Sequence, residues 1–272
     1  MTDRRPIGVF DSGIGGLTVV KAIRDRLPNE SILYLGDTAR VPYGTKSKET
    51  VVRYSVNAAE ALLSRGVKML VIACNTASAS ALPEVIDHAG GVPVIGVVEG
   101  GVAAALKATD GRVGVIGTES TVRSGAYEKG IDAGRKGITV VSRPCPLFVG
   151  LAEEGWSDNE VALATAHRYL DGLTGQIDTL VLGCTHYPVL KPVIAKVMGP
   201  GVKLIDSGEE TAQVVERRLA EYGLATTADR AGRVECLVTD SPERSLALAR
   251  RLLGAEVAID SCSLIDISPF AG

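Results

Sequence analysis

The chain of 272 residues suffices for one large domain or two of ordinary size, and its 46% hydrophobic and 22% charged residues mark an ordinary core-forming chain. A formal net charge of -3 argues against nucleic acid as the main partner, because phosphate contacts need a basic excess. The polar start at residues 1–6 leads into an apolar run of only 7–10, too short for a signal-peptide core, and Glu99 interrupts the most apolar long stretch, 92–106; a cytoplasmic protein without a membrane span is expected.

Apolar runs alternate with helical patterns along the chain. Residues 7–11 read as a strand and 17–27 as a helix; 32–37 is a second strand and 48–65 an amphipathic helix. Strands follow at 68–73, 92–98, 112–117, 138–142, 179–183, 203–206 and 234–239, with helices between most of them, among these 159–173 and 209–222. Aromatics are only 4%, so Val, Ile, Leu and Ala build the core, a composition that suits parallel strands buried on both faces. The rhythm predicts a mostly parallel α/β architecture.

Two segments recur. The stretch from Ile7 to Gly13 (IGVFDSG) resembles that from Val113 to Glu119 (VGVIGTE), and Leu70 to Thr76 (LVIACNT) resembles Leu180 to His186 (LVLGCTH), at offsets of about 106 and 110 residues. Buried apolar strands also look alike by chance. Read as a repeat, the pattern gives two pseudo-symmetric Rossmann-like lobes, residues 1–98 with 208–272 and residues 99–207. Ligands of parallel sheets bind beyond the carboxyl ends of the strands, so two such ends facing each other make a cleft that holds the active site.

The candidate residues lie at those ends. Asp11 opens a glycine-rich turn, Asp11-Ser-Gly-Ile-Gly-Gly16, where it can cap the helix, welcome a substrate ammonium group or tune a neighbouring thiol; the turn lacks the Lys and Ser/Thr of a phosphate-binding loop. Cys74 and Cys184 each follow an apolar strand and enter a helix, whose N-terminus favours a thiolate. Asn75, Thr76, Thr185 and His186 come directly after them and can cap a helix or grip a carboxylate; His186 can also move protons near neutral pH. Thr118 and Thr121 occupy the counterpart of the Asp11 turn, and Tyr43 and Gly44 lie in a Pro/Gly loop at the same edge. Glu153 reads by itself as part of a solvated helix face. Cys145, Cys236 and Cys262 read as core filler. Five cysteines and three histidines show neither disulfide nor zinc spacing, so no metal is expected.

Together the stretches GVFDSGIGGLTV, DTARVPYGTKS, VIACNTASA, CPLF with LAEEG, and LVLGCTHYP closely resemble the glutamate racemases of the aspartate/glutamate racemase superfamily; they run in order from residue 8 to 188. The resemblance implies cofactor-independent interconversion of L- and D-glutamate, supplying D-glutamate for peptidoglycan, by a cytoplasmic homodimer. Cys74 and Cys184 match the two catalytic cysteines, with Cys74 acting on D-glutamate and Cys184 on the L-form. Asp11, Glu153 and His186 match supporting acid–base residues. Ser12, Tyr43, Gly44, Asn75, Thr76, Thr185 and His186 match substrate-binding positions. Gly150 departs from the family, whose members carry a bulkier residue or proline there. DNA gyrase is implied as a secondary partner. Three rival readings stand beside this: an aspartate racemase, a decarboxylase of the same superfamily using one cysteine, and a non-catalytic carboxylate sensor.

Overall fold

The computed structural model describes residues 3–254 and 259–267. In chain order these form β1 (Ile7–Asp11), α1 (Leu17–Arg26), β2 (Ile32–Gly36), α2 (Lys48–Leu63), β3 (Met69–Ile72), α3 (Asn75–His88), β4 (Val94–Gly96), α4 (Val97–Ala108), β5 (Arg112–Gly117), α5 (Glu119–Ser124), α6 (Ala126–Gly134) and β6 (Thr139–Pro144). Then come α7 (Leu147–Glu154), α8 (Glu160–Leu170), β7 (Thr179–Gly183), α9 (Lys191–Met198), β8 (Lys203–Asp206), α10 (Ser207–Glu221), β9 (Val234–Val238), α11 (Pro242–Leu253) and β10 (Ser261–Leu264).

The strands make two sheets, ordered β10-β9-β2-β1-β3-β4 and β6-β5-β7-β8, in which every pairing is parallel. The run β2-β1-β3-β4 has the same order as β6-β5-β7-β8. The two recurring sequence segments therefore fall on equivalent central strands, β1 with β5 and β3 with β7, and the first sheet adds β9 and β10. Strands β1, β3 and β7 are buried throughout, as expected of parallel strands covered by helices on both faces.

Helix α7 sits astride the two halves. Phe148 and Leu151 pack in the core beside β7, whereas Ala152 packs with Ala249 and Leu252 of α11 in the core beside β1. Arg251 of α11 also donates to the Glu153 backbone carbonyl at 2.7 Å. Among the described residues no helix is long and apolar enough to cross a membrane.

Four elements differ from the sequence reading. The strand expected over 92–98 stops at Gly96, and Val97 already begins α4. The apolar run continues without punctuation because a buried strand and a buried helix have the same composition. The helix expected over 159–173 ends at Leu170 and finishes as a tight 3-10 turn, Asp171–Leu173. Beyond residue 239, α11 and the short edge strand β10 are additions to the reading.

Candidate active site

The carboxyl ends of β1, β3, β5 and β7 converge on a cavity of about 370 Å³. Ser12, Tyr43, Gly44, Cys74, Asn75 and Thr76 line it from the larger sheet, and Thr118, Glu153, Cys184, Thr185 and His186 from the smaller. Val41, Pro42, Pro146, Leu147 and Val149 add an apolar wall. Asp11 and Thr121, expected to touch substrate, stand behind this lining. The Asp11 carboxylate is turned into its own loop, where Oδ2 accepts from the amides of Gly16 at 2.9 Å and Gly13 at 3.2 Å. Thr121 Oγ1 joins a hydroxyl cluster with Thr118 at 3.0 Å and Thr76 at 3.3 Å, while Thr76 and Thr118 meet at 2.9 Å. Thr118 also caps α5, accepting from the Thr121 amide at 3.2 Å.

Close approach explains two of the glycines. A Cβ at Gly15 would lie 2.5 Å from Thr185 Oγ1 and 2.7 Å from the His186 ring, and one at Gly44 would lie 2.7 Å from the Thr118 Cβ. Both turns of the larger sheet thus press directly on the site residues of the smaller one.

The two thiols have unlike surroundings. Cys74 is the N-cap of α3; its Sγ accepts from the Ala77 amide at 3.5 Å and donates to Ser12 Oγ at 3.6 Å. Burial and then the nearby Asp11 carboxylate push its pKa up to about 12, outweighing those bonds. The pull of the helix N-terminus toward a Cys74 thiolate is thus opposed by burial and by the Asp11 carboxylate. Cys184 enters not an α-helix but a 3-10 turn, Tyr187–Leu190, before α9. Its partner is His186, whose Nδ1 lies 3.9 Å from Sγ and whose Nε2 lies 3.1 Å from Glu153 Oε1. Burial opposes a charge on His186, but the bonds to Cys184 and Glu153 prevail and raise its pKa to about 10. Glu153 is in turn held below its usual range by that bond. Far from being a merely solvated face residue, Glu153 completes a carboxylate–imidazole–thiol chain.

Tyr43 divides its side chain between the cavity and the core. Its ring lines the cavity, while its hydroxyl turns away and donates to the buried Asp37 carboxylate at 2.5 Å, which leaves the ring and the loop backbone facing the cavity. Phenylalanine at Tyr43 should cost about 1–3 kcal/mol in urea unfolding, because Asp37 loses a donor, and change substrate affinity little. A large rise in KM with unchanged stability would contradict this. At Gly150, in the interior of α7, a Cβ would meet nothing within 4 Å. Gly150→Ala should stabilise the chain by about 0.5–1 kcal/mol, measured by the same unfolding experiment, through backbone entropy alone.

Residues 17–215 match the model of the Asp/Glu/hydantoin racemase family. Glutamate racemase from Geobacter metallireducens is 53% identical over 255 residues, covering 93% of this chain and 94% of its own. The chain belongs to the glutamate racemase family. The crystal structure of glutamate racemase from Francisella tularensis in complex with D-glutamate superposes with a TM-score of 0.92 at 39% identity, covering 98% of this chain and 100% of that one. That from Thermus thermophilus in complex with beta-chloro-D-alanine gives a TM-score of 0.88 at 47% identity, covering 98% of each. The chain is accordingly an isomerase. The apolar wall of the racemase cavity went unassigned in the sequence reading, although its signal was present: Pro146 and Leu147 belong to the CPLF stretch, and Val41 and Pro42 precede Tyr43.

Proposed function

We propose that this racemase interconverts L- and D-glutamate without a cofactor, using Cys74 and Cys184 as a two-base pair. The observation that carries this reading is the placement of both thiols at the ends of equivalent strands, β3 and β7, on one cavity. A thiolate on one side takes the α-proton, and the electron pair of the C–H bond passes to the α-carbon and its carboxylate. The opposite thiol then donates its proton to the other face, so the product is inverted and the two sulfurs exchange protonation states. Asn75, Thr76 and Thr185, with backbone amides, supply donors for the developing charge. Ser12 and Gly44 belong to the substrate-binding lining, and Asp11 supports Cys74 from behind as His186 and Glu153 support Cys184. Cys74, whose thiol form burial and Asp11 favour, facing Cys184 beside His186 is the arrangement for deprotonating L-glutamate at Cys184.

The two halves, residues 1–98 with 208–272 and residues 99–207, act as lobes closing on the substrate. The wider role is supply of D-glutamate for peptidoglycan in the cytoplasm, by a homodimer. Turnover across a panel of enantiopure amino acids tests the substrate: glutamate should be racemised in both directions, and exclusive turnover of aspartate would refute the choice.

A further inference from the structure

Asn75 lines the cavity with an amide whose two ends differ in circumstance. Its Oδ1 accepts a hydrogen bond of 2.6 Å from the hydroxyl of Tyr127, while its Nδ2 is buried without a partner. Tyr127 stands on α6, beyond the cavity lining, and is 1% exposed. Its ring is clamped by two glycines of neighbouring elements: a Cβ at Gly101 would lie 2.9 Å from it, and one at Gly183 would lie 3.2 Å away. Ser207, at the start of α10, is buried close enough to influence the same phenol. The buried ring is thus enclosed on both sides and cannot swing away to release Asn75.

A primary amide can face a ligand with either its carbonyl or its NH2 group, and the surrounding hydrogen bonds decide which. We infer that Tyr127 is a specificity-determining positioning residue: by occupying the carbonyl of Asn75 it commits the amide NH2 to the cavity and makes that corner a donor-only subsite for a substrate carboxylate. The inference rests on the proposed glutamate substrate. A carboxylate offers only acceptors and satisfies the buried Nδ2. A carboxamide can offer Nδ2 only its one carbonyl oxygen, so its NH2 group replaces the second carboxylate oxygen in a corner that supplies donors, and an unpaired buried polar group weakens binding strongly. Tyr127 touches no substrate in this arrangement; it acts through Asn75 from the other half of the molecule.

The test measures binding of D-glutamate, D-glutamine and D-isoglutamine by calorimetry to the full chain. The amides replace one carboxylate each, so whichever end meets Asn75 is represented. In Tyr127→Phe, the ratio of glutamate affinity to that of one of the two amides should fall roughly tenfold, because the freed amide can turn its carbonyl toward the ligand. In an Asn75→Ala background the same substitution should change that ratio less than about twofold, since the residue it acts through is gone. Asn75→Asp keeps the bond from Tyr127 but aims an acceptor at the cavity, so it should lower glutamate affinity and favour the same amide. This second variant decides the matter even where the phenylalanine variant does not fold. An unchanged ratio for both amides in Tyr127→Phe, or an equal effect with and without Asn75, overturns the inference while leaving glutamate as the substrate. A wild-type chain that does not bind D-glutamate overturns the proposed substrate and this inference with it.

Discussion

Alanine at either Cys74 or Cys184 should abolish racemisation and leave the fold standing. Each thiol is nearly buried, and trimming it removes a single sulfur atom at the wall of an existing cavity, a loss on the order of 1 kcal/mol. The chemical loss is far greater, at least ~10³-fold in kcat, because inversion needs a proton acceptor on one face and a donor on the other. The two variants should nevertheless differ in deuterium oxide. Cys74→Ala retains the Cys184–His186–Glu153 chain and should exchange the α-hydrogen of L-glutamate without inverting it. Cys184→Ala keeps only a thiol that burial and Asp11 hold up at about 12, so its exchange into D-glutamate should be slower. Proton NMR of the α-position, with chiral chromatography of the same samples, reads both quantities. Racemisation by either variant near the wild-type rate would remove the two-thiol mechanism.

That difference between the thiols shows where the sequence stops being informative. Runs such as MLVI and TLVLG betray buried parallel strands, and the residues after them must lie at a sheet edge where ligands bind, so the location of Cys74 and Cys184 is readable from pattern alone. Their proton affinities are not, because these depend on how deeply each is buried and which charge stands nearby. Asp11 is 63 residues from Cys74 in the chain yet close enough in space to act on it. Glu153 looks like a solvated helix residue until α7 is wedged between two cores and turned toward His186. Tyr127 carries no motif at all, and its bond to Asn75 joins positions 52 residues apart. Tyr43 is legible by its loop, but the commitment of its hydroxyl to Asp37 is not.

Glu153→Gln should move the alkaline limb of the L-to-D reaction to lower pH. His186 keeps its proton up to about 10 because Cys184 and Glu153 both favour the imidazolium against the cost of burial. Glutamine retains the shape and a hydrogen-bonding carbonyl but removes the negative charge, so His186 should lose its proton earlier, by roughly one pH unit or more. With a neutral imidazole, the Cys184 sulfur loses the cation beside it and kcat/KM for L-glutamate should fall. On the proposed mechanism the D-to-L limb depends on Cys74 and should move less, a contrast that a general loss of structure would not produce. Stability obeys the same linkage. The folded-state pKa of His186 lies above its ordinary value of 6.5, so its contribution is complete below 6.5 and disappears as pH rises through about 10. Glu153 has the opposite sign: its pKa is lowered from 4.5, so its contribution is present above that value and is lost on acidification through the lowered one. The gap in urea midpoint between wild type and His186→Asn should therefore narrow steadily from neutral pH toward 10 and should narrow at lower pH in a Glu153→Gln background. An alkaline limb that stays in place in Glu153→Gln, or moves upward, would mean that the carboxylate does not act on Cys184 through the imidazole.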